Sequence, residues 1–82
     1  MRSLIKTVEP ETDFKIKVCF NNGVKKEYDI KPLFKEIKAF RTLLKHPALF
    51  NNVQVCFGGY GIRWNDKIDL AFEEIWDNGI TV

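Results

Sequence analysis

The stretch GGYGIRWNDKID, residues 58–69, contains the densest set of residues whose types could do chemistry. Phosphate-binding loops use glycines for close backbone approach, but they also need a following helix whose N-terminus carries a Lys-Ser/Thr pair. Here Ile62 and Trp64 alternate with other residues instead, which predicts a strand after the glycines. The glycines therefore indicate the turn of a β-hairpin.

The register of this second hairpin follows from its apolar residues. We predict a two-residue type II′ turn at residues 59–60, because that turn takes glycine at its first central position. This register pairs Phe57 with Ile62 and Val55 with Trp64. All four side chains would then lie on one face, as a half-buried sheet requires.

The remaining candidates for catalysis are two carboxylates, Asp66 and Asp69, and the single histidine, His46. Two carboxylates could hold a cation or perform acid–base chemistry, but they lack the alternating oxygen ligands of a calcium loop. His46 lies at a predicted helix end, where an imidazole commonly interacts with the helix dipole. Cys19 and Cys56 do not have zinc-ligand spacing. The sequence therefore predicts no catalytic, cofactor-binding or metal-binding residues, and no enzyme.

Composition predicts one small cytoplasmic domain over residues 1–82. The net charge of +2 is too small to imply a nucleic-acid partner by itself. The charge is unevenly distributed: residues 1–46 carry 11 basic and 6 acidic groups, a net +5, whereas residues 47–82 carry 2 and 5, a net −3. No apolar stretch approaches the roughly 18 residues that a membrane span needs. Two cysteines without a disulfide framework favour a reducing compartment.

The first half alternates apolar and polar residues, which predicts strands. We expect a short strand over Leu4–Val8, ended by the turn around Pro10, and a hairpin formed by Phe14–Phe20 and Val24–Ile30. A three-residue loop, with Gly23 in the left-handed conformation, puts nearly all apolar residues of this first hairpin on one face. A two-residue loop would pair apolar residues with charged ones.

The pattern then changes to a helical period. Apolar residues at Leu33, Ile37, Phe40 and Leu44 predict a middle helix that ends near Lys45, followed by one more turn over residues 48–50. Residues 69–79 predict a C-terminal helix with Asn-Gly as its stop signal, and the last three residues a short strand. The predicted fold class is α+β: a small antiparallel sheet of four to five strands (two hairpins) with a middle helix and a C-terminal helix.

Aromatic and basic residues lead to two binding hypotheses. Two tryptophans in a core this small usually fill it, but an exposed tryptophan is a natural anchor for a protein partner. The residues assigned to partner binding are Tyr60, Trp64, Asp66 and Trp76. The alternative is weak nucleic-acid binding by the basic first hairpin, although lysines on strands also prevent edge-to-edge aggregation. The residues assigned to it are Lys15, Lys17, Lys25, Lys26 and Arg41.

Motifs spread along nearly the whole chain resemble an uncharacterised bacterial family of short domains of unknown function. The residues that carry the resemblance are Phe20, Asn22 and Gly23; Asp29, Lys31, Pro32 and Leu33; Phe40, Leu44 and Phe50; and Gly59, Ile62, Trp64, Ile68 and Asp69. The resemblance implies a small α+β domain, encoded beside another short protein, with an antitoxin-like or accessory partner role. We therefore expect a non-enzymatic protein-interaction module that binds a small protein partner or itself.

Overall fold

The structure, a computed structural model, describes residues 2–82 and has the predicted α+β architecture. Its strands form two antiparallel sheets, with orders β1-β2-β3-β7 and β4-β5-β6. The strands are β1 (Ile5–Pro10), β2 (Lys15–Phe20), β3 (Lys25–Asp29), β4 (Gln54–Cys56), β5 (Gly61–Asn65), β6 (Ile68–Ala71) and β7 (Ile80–Thr81). The helices are α1 (Leu33–Glu36), α2 (Arg41–Lys45), α3 (Pro47–Phe50) and α4 (Phe72–Asn78), and short 3₁₀ turns cover Lys38–Phe40 and Phe57–Gly59.

The first hairpin has the predicted register. Ile16 pairs with Tyr28 and Val18 with Lys26, and the amide of Phe20 donates to the carbonyl of Val24 over 2.8 Å. Gly23 takes the expected left-handed conformation with φ of 91°. The alternation of apolar residues therefore determined this register correctly.

Strand β1 differs from its prediction at the C-terminal end. It continues to Pro10, which pairs with Ile16, whereas the sequence predicted that the strand ends before the proline. β1 lies at the edge of its sheet, where a residue without an amide hydrogen costs no ladder hydrogen bond. Phe14 is also not part of β2, because the chain turns there with a positive φ of 55°.

The prediction of one continuous middle helix was wrong. The helix breaks at Ile37, whose backbone is extended, with φ of −126° and ψ of 110°. The break changes which residues of the following turns face the core, so that Leu43 is fully buried while Leu44 is 52% exposed. Packing of the later turns on the core thus outweighs helical periodicity, although the helix does end at Lys45 and a further turn follows.

The second hairpin exists, but its predicted register was also wrong. Val55 pairs with Ile62 instead of Trp64, a shift of two residues that preserves the inward and outward faces. The connection is the four-residue loop Phe57–Tyr60, with a hydrogen bond of 3.2 Å from the amide of Tyr60 to the carbonyl of Phe57. Gly58 and Gly59 lie at the centre of this turn with φ of 66° and 97°, as a type I′ turn requires.

The C-terminal helix begins later than predicted. Residues 68–71 form β6, in which Ile68 and Leu70 point inward and alternate with exposed Asp69 and Ala71. This period-two pattern pairs with β5 before α4 starts at Phe72. The helix ends at Asn78, and the last residues form the predicted short strand, β7.

Side chains from both sheets and from the helical segments share one core. Its large, fully buried members include Ile16, Val18 and Phe20 of the first sheet, Ile62 and Ile68 of the second, and Phe40, Leu43 and Ile75 of the helical segments. Strand β1 also lies alongside β4, so that the two sheets adjoin at one side. No helix described within residues 2–82 is long and apolar enough to cross a bilayer.

Candidate functional site

Two exposed aromatic rings mark the aromatic loop, Phe57–Tyr60, at one end of the second sheet. Phe57 is 67% exposed and Tyr60 is 59% exposed. Phe57 also has a positive φ of 55°, which is rare for a residue with a bulky side chain. Strain of this kind costs about 1–3 kcal/mol and concentrates at functional sites. The loop therefore combines backbone strain with exposed aromatic surface.

Contacts on both sides hold the aromatic loop in place. A side chain at Gly59 would meet the carbonyl oxygen of Ile5 at 2.6 Å, so the loop packs directly on the backbone of β1. The Tyr60 ring lies edge-on to Phe72, with centroids 5.8 Å apart, and the amide of Phe72 donates to the carbonyl of Tyr60. The loop is thus a fixed platform, which lowers the entropy cost of binding through it.

A shallow hollow of about 190 Å³ adjoins the aromatic loop on the outer face of the second sheet. Its floor is formed by three small residues that are neighbours across the strands, Cys56, Gly61 and Ala71. Burial raises the pKa of the Cys56 thiol, and Asp69 adds to this effect while Arg63 opposes it. A thiol held in its neutral form is a poor nucleophile, so the hollow is suited to packing and not to covalent chemistry.

The structure places the four residues predicted for partner binding in different environments. Tyr60 is exposed in the aromatic loop, as a binding role requires. Trp64 is only 5% exposed and is not available as an anchor. Its Nε1 donates to the carbonyl of Phe50 over 3.0 Å, and its ring stacks on Phe50 and meets the edge of Phe40. Trp64 is therefore a core residue, which corrects its assignment to an interface.

Asp66 and Trp76 belong to elements other than the aromatic loop. Asp66 is in the turn between β5 and β6, at the opposite end of the hairpin, with its side chain 95% exposed and 3.7 Å from Arg63. Trp76 is half-buried, edge-on to Phe20 at 4.8 Å, and the Lys26 ammonium lies 4.7 Å from its ring centroid. The four predicted residues therefore do not all share one surface, because Trp64 is buried and Asp66 lies at the other end of β5 from Tyr60.

The lysines predicted for nucleic-acid binding are interleaved with carboxylates. Lys15 lies 4.0 Å from Glu27, and Lys17 lies 3.6 Å from Glu11. Lys25 is exposed on the same hairpin, next to the end of β7. These pairs reduce the positive potential that would attract a phosphate backbone.

Lys26 and Arg41 do not join the same surface. Lys26 pairs with Val18 across the hairpin, on the core face, and its ammonium donates to the backbone carbonyl of Trp76. The guanidinium of Arg41 donates to the carbonyl of Phe34 over 2.8 Å, on the helical segment. The five predicted cations are therefore distributed over several surfaces.

The residues considered for catalysis belong to three different elements. Asp66 lies in a turn, Asp69 on the outer face of β6, and His46 at the exposed end of α2. Residues 2–82 contain no group of three or more His, Cys, Asp or Glu side chains that could hold a metal ion.

Sequence reasoning missed the exposure of Phe57 and the role of Tyr28. Phe57 was predicted to face the core because it continues the alternation of β4, but three glycines follow it and indicate a wider turn. Tyr28 is buried, and its hydroxyl donates to Glu74 Oε2 over 2.8 Å. Burial, reinforced by the hydrogen bond to Glu74, raises the pKa of Tyr28 above its ordinary value of 10.0.

Tyr28 is expected to make stability fall at alkaline pH. The unfolded tyrosine ionises near 10.0, whereas the folded one stays protonated at higher pH, so the unfolded state loses its proton first. The free energy of unfolding should therefore decrease as pH rises above about 10. Denaturation by urea at a series of pH values measures this slope. Tyr28→Phe should reduce it, whereas the control Tyr60→Phe, which changes an exposed phenol, should leave it unchanged.

The fold and the site define a small α+β domain of two antiparallel sheets with an exposed aromatic loop. The sequence model for a protein family of unknown function, DUF2442, matches residues 5–81, so the chain belongs to that family. No curated protein and no solved structure matches the chain with significance. The expected membership of an uncharacterised short-domain family is thus confirmed.

Proposed function

We propose that this domain is a non-enzymatic protein-interaction module that docks a partner protein through the aromatic loop and the adjoining hollow. The observation that carries the proposal is Phe57, which is two-thirds exposed while its backbone has a positive φ. Within the domain the exposed ring buries little apolar surface, and the positive φ costs free energy. Both have a purpose if the ring is buried in a complex, because rigid aromatic anchors contribute most to interface affinity.

A finer proposal concerns the partner. The family resemblance implies a short protein encoded beside this one, which supports an antitoxin-like role in a two-protein system. The alternative, nucleic-acid binding by the first hairpin, is supported by the lysines at 15, 17 and 25 and opposed by the carboxylates paired with two of them. The two functions differ in their response to nuclease and to salt.

The test is a pull-down with the tagged protein from native lysate of its source cells, with and without nuclease, read by mass spectrometry. Phe57→Asn removes the ring and places there a residue that tolerates positive φ, so the fold should be stabilised by about 0.5–1 kcal/mol. We expect this variant to lose most of a stoichiometric small partner. Val82→Ser changes another exposed apolar residue, and we expect it to retain the partner.

Two results would contradict the proposal. If Phe57→Asn and Val82→Ser capture the same proteins as the wild type, the aromatic loop is not the docking surface. If all captured material disappears with nuclease, the nucleic-acid alternative replaces it. Thermal denaturation of each variant confirms that a lost partner does not reflect a lost fold.

A further inference from the structure

Two grooves of opposite charge lie on either side of the helix break at Ile37. The acidic groove, of about 470 Å³, runs between β3, α1 and α4. Its carboxylates are Glu27, Asp29, Glu36 and Glu74, and no basic residue lines it. The basic groove, of about 490 Å³, is lined by the cations Lys38, Arg41, Lys45 and Lys67 and by no acidic residue. The two grooves are thus similar in size and complementary in charge.

The charges of both grooves are incompletely compensated within the chain. None of the four cations of the basic groove forms an ion pair with any residue among 2–82. In the acidic groove, Glu27 and Asp29 each lie within ion-pair distance of a lysine. Glu36 and Glu74 have no such pair among the described residues, and Glu74 contacts only the uncharged Tyr28 and Asn78 side chains by hydrogen bonds. Each groove therefore keeps excess charge of one sign.

Ile37 connects the two grooves. Its neighbour Glu36 lines the acidic groove and its other neighbour, Lys38, lines the basic one. Ile37 itself is 41% exposed, because the extended backbone at the break carries it out of the helical face. An apolar residue flanked by opposite charges can meet its own copy across a two-fold axis, so that each acidic groove faces a basic groove.

We infer that this surface binds a second copy of the chain in a symmetric dimer, with the two Ile37 side chains near the axis. Charge complementarity favours a second copy, because the one chain carries both complementary grooves beside each other. No aromatic residue lines the basic groove, so it offers no ring on which a nucleic-acid base could stack. The inference does not depend on the aromatic loop, which lies at the opposite end of β5 from Lys67.

Sedimentation velocity of the full chain at increasing salt tests the dimer. We expect a dimer at about 50 mM salt, and a dissociation constant at least about tenfold higher at about 500 mM, because salt screens exposed charges. The dimer should also weaken with Ile37→Asn. A chain that is monomeric at low salt throughout the micromolar range would overturn the inference.

Charge reversal identifies the surface. Lys38→Glu/Lys45→Glu and Glu36→Lys should each weaken the homodimer, because the first change cancels the net charge of the basic groove and the second halves that of the acidic groove at both contacts. A mixture of these two variants should form a heterodimer in preference to the Lys38→Glu/Lys45→Glu homodimer, since one of its contacts joins an unchanged acidic groove to an unchanged basic groove. The control, Lys6→Glu/Lys25→Glu, makes the same change in net charge outside the two grooves and should still dimerise. Reversal without effect, or a mixture that stays monomeric, would refute the assignment.

The same variants distinguish the dimer from other uses of the grooves. A 20-base-pair DNA duplex and a single-stranded RNA serve as probes for the basic groove. If either binds to a monomeric wild-type chain and is lost with Lys38→Glu/Lys45→Glu, the basic groove binds nucleic acid and the dimer is excluded. Phe57→Asn should leave the dimer intact. An experiment that refutes the dimer therefore does not refute partner docking through the aromatic loop, and the reverse also holds.

Discussion

Trp64→Ala is expected to lower the free energy of unfolding by about 3–5 kcal/mol, the range for deleting a buried aromatic side chain. The indole stacks on Phe50, meets the edge of Phe40 and donates to the Phe50 carbonyl. Removing it leaves a cavity and an unpaired buried carbonyl, both of which destabilise the fold. A domain of this size has a total stability of only about 4–12 kcal/mol. The variant should therefore be largely unfolded or melt far below the wild type.

Trp76→Ala is the matched control for this loss. The same residue type is deleted, but Trp76 is half-buried and contacts chiefly the Phe20 ring edge and the Lys26 ammonium. We expect a cost of about 1–2 kcal/mol. Urea denaturation followed by circular dichroism measures both variants with the same probe. Equal costs at the two positions would contradict the placement of Trp64 in the core.

Gly59→Ala is expected to cost about 2–4 kcal/mol, from backbone strain and steric overlap together. Gly59 has a φ of 97°, and an added Cβ would lie 2.6 Å from the carbonyl oxygen of Ile5. Because that neighbour is backbone, it cannot move without displacing β1. The expected result is a lower melting temperature together with disruption of the aromatic loop, measured by thermal denaturation and by amide exchange of the loop.

Gly23→Ala separates the two contributions. Gly23 has nearly the same conformation, with φ of 91°, but a Cβ there would meet no atom within 4 Å. Its cost should be the conformational strain alone, about 1–2 kcal/mol. If both glycine variants lose the same stability, the contact between the aromatic loop and β1 does not contribute to the fold.

The sequence predicted the first hairpin correctly because two constraints agreed there. Apolar residues alternate on both strands, and Gly23 supplies the left-handed position that a three-residue loop needs. In the second hairpin the apolar alternation allowed two registers, two residues apart, with the same inward face. The observed register puts Gly58 and Gly59 at the centre of the turn and packs Gly59 against Ile5, a residue far away in the sequence.

The candidate site was less predictable than the fold. Tyr60 was identified, but Phe57 was assigned to the core because it extends the alternation of β4. Trp64 was assigned to an interface because residue type alone does not tell a buried tryptophan from an exposed one. The basic groove was missed, apart from Arg41, because Lys67 is distant in sequence from the helical segment that it joins.

The sequence by itself determined the fold class, the strands of the first hairpin, the C-terminal end of α2 at Lys45 and the membership of the family. These features depend on local periodicity, turn residues and motifs, which can be read from neighbouring residues without knowledge of tertiary contacts. Only the tertiary structure decided the break at Ile37, the exposure of Phe57, the burial of Trp64 and the grouping of charges into two grooves. Each of these depends on packing between distant segments, since burial and charge compensation are properties of neighbours in space and not of neighbours in sequence.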